Sequence, residues 1–197
     1  LLVGFLTPTA GQIVCTPVSA DAAAACAVPL RSQVGFISAQ PRVFDGSFFD
    51  NIALFSEHYS HQSVVDAAKR ANLHAFVTSY ERGYHHHLIT HDVSIRGLDL
   101  YRLELARALL KQPKLLVVGD LSGSIDTELE LQLLQQVLNL NLTTIFTPSS
   151  LQALGLSDCM MLLERGECQR FGSTAQLHTD PAIQQLFAAS VAPEGVA

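Results

Sequence analysis

Three consecutive histidines, His85-His86-His87, with His91 four residues after the last of them, are the densest group of potential metal ligands in the chain. A metal such as zinc needs three or four N, S or O donors converging on one point. No cysteine lies near these histidines and Asp92 is the only local carboxylate, so the stretch reads as a solvated or interface loop and no metal is assigned. The four cysteines, Cys15, Cys26, Cys159 and Cys168, form no C-x-x-C pair and no zinc spacing. They are expected to be free, mostly buried thiols in a reducing compartment. Three aspartates mark element boundaries: Asp120 follows the apolar run Leu115–Val118, and Asp99 and Asp126 stand at the starts of helical patterns. As local structure, the first is a strand-end cap and the other two are helix N-caps.

The elements that would carry these residues follow from periodicity. Leu98–Lys111 predicts a helix, with apolar Leu100, Leu103, Ala106, Leu109 and Leu110 and a stop at Pro113. Leu115–Val118 is an apolar run of strand length, as in a buried parallel strand. Thr127–Leu140 is a leucine-rich helix and Thr143–Phe146 a second buried strand. Upstream, Gln33–Ile37 is a short β-rich run, and Ser47–Phe55 and Ser63–Ser79 are expected as helices. Met160–Leu163 and Cys168–Phe171 flank Arg165-Gly166 as a hairpin, and Asp180–Ala188 is a closing helix. Residues 1–6 read as a helix end followed by turn chemistry at 7–11; Gln12–Val14 reads as the start of a strand, and Ser19–Ala27 is ambiguous. Helices alternating with short buried strands imply an α/β fold whose mainly parallel sheet is covered on both faces. Aromatic Tyr84 and Phe48-Phe49 are placed in the core by default.

Composition removes several classes of function. The 197 residues carry 12 Lys+Arg against 18 Asp+Glu, a formal charge of −6, and 48% are apolar. A disordered chain would need low hydrophobicity and high charge. A nucleic-acid binder would need a basic patch, so nucleic acid is not an expected partner. No apolar run reaches the 18 residues of a membrane span, and no secretory leader opens the chain. Because Leu1 already lies inside an apolar segment, the chain is expected to be a fragment of something longer.

The order and spacing of these pieces resemble the ATP-binding cassette domain of ABC transporters, of the exporter type. Residues 1–13 resemble the helix end and turn that follow the family's phosphate-binding loop; Val34-Gly35-Phe36-Ile37, Pro41–Ser47 and Asn51-Ile52-Ala53 resemble the strand, Q-loop and first helix of its helical subdomain. Leu103–Leu110 and Leu115-Leu116-Val117-Val118 resemble the signature helix and the Walker B strand. The resemblance runs from about Leu1 to Phe187. It implies a P-loop-NTPase-like three-layer core, truncated at its N-terminus, with a helical subdomain at about 47–110 within a single cassette spanning 1–197.

At the functional positions the sequence departs from the family. The Walker A loop is absent from the chain, ending by the resemblance a few residues before Leu1. The Q-loop glutamine falls on Ala39, or on Gln40 if the alignment slips by one. The signature L-S-G-G-Q falls on Ile95-Arg96-Gly97-Leu98-Asp99, keeping only Gly97. The paired Walker B carboxylates fall on Gly119-Asp120. Asp120 then either stands in for the catalytic glutamate or slips back to the metal role, with Leu121 in place of the base. The D-loop is partly kept in Ser124-Ile125-Asp126, and the switch histidine falls on Ser149. By the resemblance, Asp120 is the candidate catalytic residue, and Gln40, Gly97 and Asp126 the nucleotide-facing ones.

The resemblance implies ATP and Mg²⁺ as cofactors. Its implied partners are a second cassette domain, as homo- or heterodimer, and the transmembrane domain of an exporter, placing the chain on the cytoplasmic face of a membrane. The expected function is the nucleotide-binding part of an ABC exporter, coupling ATP binding and hydrolysis to transport, in a catalytically impaired form. Loss of a positioned base costs roughly 10²–10⁴-fold in rate. Two alternatives are an active ATPase with slipped motifs and a truncated phosphate loop, and a non-enzymatic interaction module that keeps the cassette fold.

Overall fold

The computed structural model describes residues 9–10, 30–90 and 95–190. The helix end at 1–6, most of the turn at 7–11, the strand start at Gln12–Val14, the segment Ser19–Ala27, and Cys15, Cys26, His91 and Asp92 lie outside the described residues.

After a short helix, α1 (Leu30–Gln33), a three-stranded parallel sheet forms the centre, in the order β1 (Val34–Ile37), β4 (Leu115–Val118), β5 (Thr143–Phe146). Register pairs Val34 with Leu115 and Leu115 with Thr143, so Ile37, Val118 and Phe146 end at one level. Because side chains alternate across a strand, Gly35, Ile37, Leu116 and Val118 share one face. Helix α5 (Leu98–Leu110) covers that face. A Cβ on Gly35 would lie 2.7 Å from Leu116 and 3.1 Å from Ala108, so glycine is what lets the helix sit this close to β1.

The opposite face differs from expectation. Leu115 and Val117 are only half-buried, and exposure rises towards β5, where Ile145 is 42% exposed. Thr143–Phe146 is therefore not a buried strand: it is the edge of the described sheet, with neighbours along one side only. The apolar, β-branched composition that suggests burial cannot tell a central strand from an edge.

A group of short helices packs on α5. It begins with a two-residue ribbon, β2 (Gly46–Ser47) against β3 (His87–Leu88), and α2 (Phe48–Ala53). Ser47 and Asp50 close a capping box at the start of α2: the Asp50 amide donates to Ser47 Oγ at 3.0 Å and the Ser47 amide to Asp50 Oδ2 at 2.9 Å. The helix expected over Ser63–Ser79 is two helices, α3 (His61–Arg70) and α4 (His74–Thr78). Asn72, at φ 51°, breaks it, with Asn72 N donating to Lys69 O and Leu73 N to Ala68 O. This is the Schellman arrangement, and asparagine tolerates the left-handed position it needs. A 3₁₀ turn at Gly83–His85 and β3 lie within the expected polar loop, anchored by buried Tyr84 and Leu88.

After the sheet come α6 (Thr127–Leu138), α7 (Leu151–Leu154), the hairpin of β6 (Cys159–Glu164) and β7 (Glu167–Ser173), α8 (Thr174–Leu177) and α9 (Pro181–Ser190). Arg165 and Gly166 turn the hairpin at φ 51° and 85°, the pair of left-handed residues that a two-residue turn requires. Cys159 and Cys168 lie on this hairpin as free, exposed thiols, so the expectation of mostly buried cysteines does not hold for these two. A short hairpin displays one full face to solvent, and these positions fall on it. Phe48 (fully buried) and Tyr84 sit in the core, with Phe49 packed against it. No helix among the described residues is long and apolar enough to cross a membrane.

Candidate functional site

The C-terminal ends of parallel strands are where α/β folds place their ligands, because the following loops open there together. In this chain the loops after β1, β4 and β5 and the start of α5 carry every candidate residue among those described.

Gly97 opens α5 at φ 55° and ψ −134°, a conformation that only glycine adopts comfortably. It is exposed, and a Cβ there would meet nothing within 4 Å, so the backbone angle alone explains the glycine. Asp99 is not the N-cap expected of it. The cap is Gly97, with no side-chain cap bond, and Asp99 sits in the first turn, where its Oδ1 takes Arg102 Nη1 at 2.8 Å. An i,i+3 carboxylate–guanidinium pair satisfies this aspartate, whose charge also suits the helix N-terminus.

Asp120 is exposed, and its Oδ1 accepts the Ser122 amide at 2.9 Å. That bond closes an Asx turn after the strand. Gly119 donates its N–H to Ile37 O at 2.9 Å. A Cβ on residue 119 would lie 3.3 Å from that oxygen and 3.4 Å from Ala39 N. Gly119 and Ala39 are thus neighbours across the strand ends, and neither offers a side-chain oxygen. Gln40 is exposed, with its amide donating to Ser38 Oγ at 3.1 Å. Mg²⁺ demands near-octahedral oxygen ligands. Residues 39 and 119 supply none, so the side-chain oxygens at these positions are those of Asp120, whose Oδ1 also accepts Ser122 N, and of exposed Gln40.

Asp126 caps α6, its Oδ1 accepting Leu129 N at 2.8 Å. Its structural role as an N-cap is the expected one. Ser149 sits in the loop after β5. Its amide donates to Glu130 Oε1 at 2.9 Å and its hydroxyl to Glu130 Oε2, while Glu130 is 1% exposed. A serine held in this way carries no positive charge, unlike a histidine.

Two further groups went unnoticed in the sequence. Tyr101, buried in α5, donates its hydroxyl to Ala39 O at 2.9 Å. Burial pushes its pKa up, partly offset by a hydrogen bond with the Ser124 side chain. Arg107, also buried, donates to Asn51 O (2.8 Å), Asn51 Oδ1 (3.0 Å), Arg42 O (2.7 Å) and Glu104 Oε1 (3.2 Å). Burial lowers its pKa while Glu104 opposes the shift. A signal for Glu130 existed: Glu130, Leu133, Leu134 and Val137 fall at i, i+3, i+4 and i+7 on one helical face, so a carboxylate occupies an apolar stripe. Arg107, four residues after Leu103 and three before Leu110, carries the same signal. Tyr101 carried none.

Among the described residues no group of three or more His, Cys, Asp or Glu side chains could hold a metal ion. His85 and His87 are exposed, and His86 lies against the Tyr80 ring with centroids 4.4 Å apart.

No family model matches the chain. ABC transporter B family member 17 of Arabidopsis thaliana is 31% identical over 179 residues, which is 90% of this chain and 14% of that protein. The Lactococcus lactis lactococcin transport/processing ATP-binding protein LcnC-like is 31% identical over 178 residues, 90% of this chain and 25% of that protein. The uncharacterized ABC transporter ATP-binding protein YfiB of Bacillus subtilis is 28% identical over 167 residues, 84% of this chain and 29% of that protein. The chain spans less than a third of the length of each of these relatives. Among solved structures, a bacterial Atm1-family ABC exporter with ATP bound superposes with a TM-score of 0.67 at 24% identity, covering 85% of this chain and 30% of that one. The fold is that of a P-loop-NTPase-like core. The sequence likeness is to proteins of the ABC transporter family, over a part of their length.

Proposed function

We propose that the chain is a degenerate cassette: the nucleotide-binding part of an exporter, catalytically impaired, that serves as the weakly hydrolysing or silent half of a cassette pair. One observation carries the reading. Where two carboxylates and a glutamine are expected, Gly119, Ala39 and an Asx-turned Asp120 meet instead, with Ala39 N 3.4 Å from the point a Cβ on residue 119 would fill. Ser149 in place of a histidine, and Leu98 and Asp99 in place of the glycine and glutamine of the signature, add to it. With one free carboxylate oxygen where a metal shell and a base are both needed, no hydrolytic step is assigned to these residues.

The proposed partners are a second cassette, for which Asp126 and Gly97 mark the facing surface, and a transmembrane domain. Phe44 (42% exposed), Phe55 (55%) and Ile89 (61%) flank the β2–β3 ribbon and support a docking face for the latter. Phe55 lies against Gly46, and Thr90 N, next to Ile89, donates to the Asp45 side chain. Exposed apolar groups gathered on one ribbon mark interaction sites more often than single ones do. A place on the cytoplasmic side of a membrane goes with the proposed pairing to a transmembrane domain.

Calorimetric titration of the full-length protein with ATP, in Mg²⁺ and in EDTA, tests the reading. Affinities at this chain's site equal within about twofold are expected. A tightening of tenfold or more by Mg²⁺, about 1.4 kcal/mol, contradicts it.

A further inference from the structure

The loop after β1 is held to the start of α5 by one side chain. Tyr101 lies one turn into α5, four residues after Gly97, and its ring is 3% exposed. Its hydroxyl donates to the Ala39 carbonyl, 62 residues away, at 2.9 Å, with the Ser124 side chain of the loop after β4 close enough to lower its pKa. Gly119 completes the contact from the other side: lacking a Cβ, it lets the backbone at Ala39 close onto the end of β4. The loop after β5 is fixed separately, by Glu130 on Ser149.

We infer that Tyr101 is a positioning residue that ties the loop at 38–42 and the loop at 121–126 to the start of α5, so that these loops keep one arrangement without a bound nucleotide. A buried hydroxyl that donates to a backbone carbonyl resists release, because an unmade buried hydrogen bond costs more than a made one gains. The carbonyl it holds belongs to the residue that faces Gly119, where the metal-binding side chains are missing. A protein-internal tie therefore stands where a ligand-mediated one would otherwise organise the loops. The inference rests on reading these loops as nucleotide-facing. The titration above tests that reading, whereas the experiment below tests the tie.

Amide hydrogen exchange, read by mass spectrometry on the full-length protein with and without MgATP, distinguishes the cases. In the unmodified protein, peptides over 38–42 and 121–126 are expected to exchange at the same rate in both conditions. In Tyr101→Phe the same peptides are expected to exchange roughly 5- to 10-fold faster, the loss of about one hydrogen bond, while 103–110 is unchanged. Ser124→Ala alters only an exposed hydroxyl and keeps the fold testable; it is expected to speed 121–126 and leave 38–42 alone. Unchanged exchange in Tyr101→Phe would overturn the inference, as would uniform acceleration along the chain. So would tenfold or greater protection of both loops by MgATP in the unmodified protein.

Discussion

Arg107 on α5 and Asn51 on α2, 56 residues apart in sequence, hold each other through two hydrogen bonds: Nε to the Asn51 carbonyl at 2.8 Å and Nη2 to Asn51 Oδ1 at 3.0 Å. Asn51 is wholly buried, and its side chain also accepts Phe44 N and donates to Phe44 O, both at 2.8 Å. The Arg107 guanidinium lies 5.2 Å from the Phe44 ring centroid, a cation–π distance. The helix that starts at the signature position and the loop that leads into the short helices packed on it are thus one hydrogen-bonded unit.

Truncating Arg107 leaves the half-buried Glu104 carboxylate and the buried Asn51 acceptors without their donor. Arg107→Ala is expected to destabilise the protein by about 3–5 kcal/mol, read from urea unfolding. Arg107→Lys keeps the charge but not the fork, and should recover only part of the loss. A change below about 1 kcal/mol in Arg107→Ala would mean the network contributes little.

Glu130 and Ser149 give a second graded series. Glu130→Leu leaves the Ser149 amide and hydroxyl without their buried acceptor, an expected loss of about 2–3 kcal/mol. Glu130→Gln keeps one acceptor oxygen and should lose about half of that. Equal stability of the two variants would show that the contact is unimportant.

Gly119 leaves little room for a side chain at the end of β4. Gly119→Ala adds only the Cβ, 3.3 Å from Ile37 O and 3.4 Å from Ala39 N. Backbone atoms yield reluctantly, so about 1–3 kcal/mol of destabilisation is expected. Gly119→Asp should cost at least as much. A melting temperature unchanged in Gly119→Ala would show that the strand ends have room for a carboxylate.

Alkaline pH should weaken the fold through Tyr84. Burial, with a smaller contribution from Asp66, pushes its pKa from 10.0 up to about 12, and its hydroxyl lies 2.9 Å from His74 Nδ1. The unfolded chain then releases this proton near pH 10 while the folded chain keeps it. The stabilisation is complete below pH 10 and is lost as pH rises towards 12. Thermal melts between pH 9 and 12 should show a steeper decline for the unmodified protein than for Tyr84→Phe, and parallel declines would exclude Tyr84 as the source.

Much of the fold was legible because it rests on local chemistry. The helix at 98–110, the central strand at 115–118, the Arg165-Gly166 hairpin and the Asp126 cap all follow from periodicity, apolar runs and turn residues. The split after Arg70 was not, since apolar positions continue through Ala71 and Leu73 and only Asn72 marks the Schellman turn. Nor was the exposure of Ile145, because edge and centre strands share one composition. At the site, the resemblance proposes departures at 39, 119 and 149, but the contacts those residues make could not be read from it. The Tyr101–Ala39, Glu130–Ser149 and Arg107–Asn51 contacts join residues 62, 19 and 56 positions apart. Periodicity marks Glu130 and Arg107 as polar groups within apolar stripes but does not name their partners, and it gives no sign of Tyr101.

Steady-state ATP hydrolysis by the full-length protein, purified free of any other cassette protein, tests the central claim most directly. The account predicts turnover no faster with Mg²⁺ than in EDTA. Mg²⁺-dependent turnover of about one per second or more, the range of working enzymes, would contradict it.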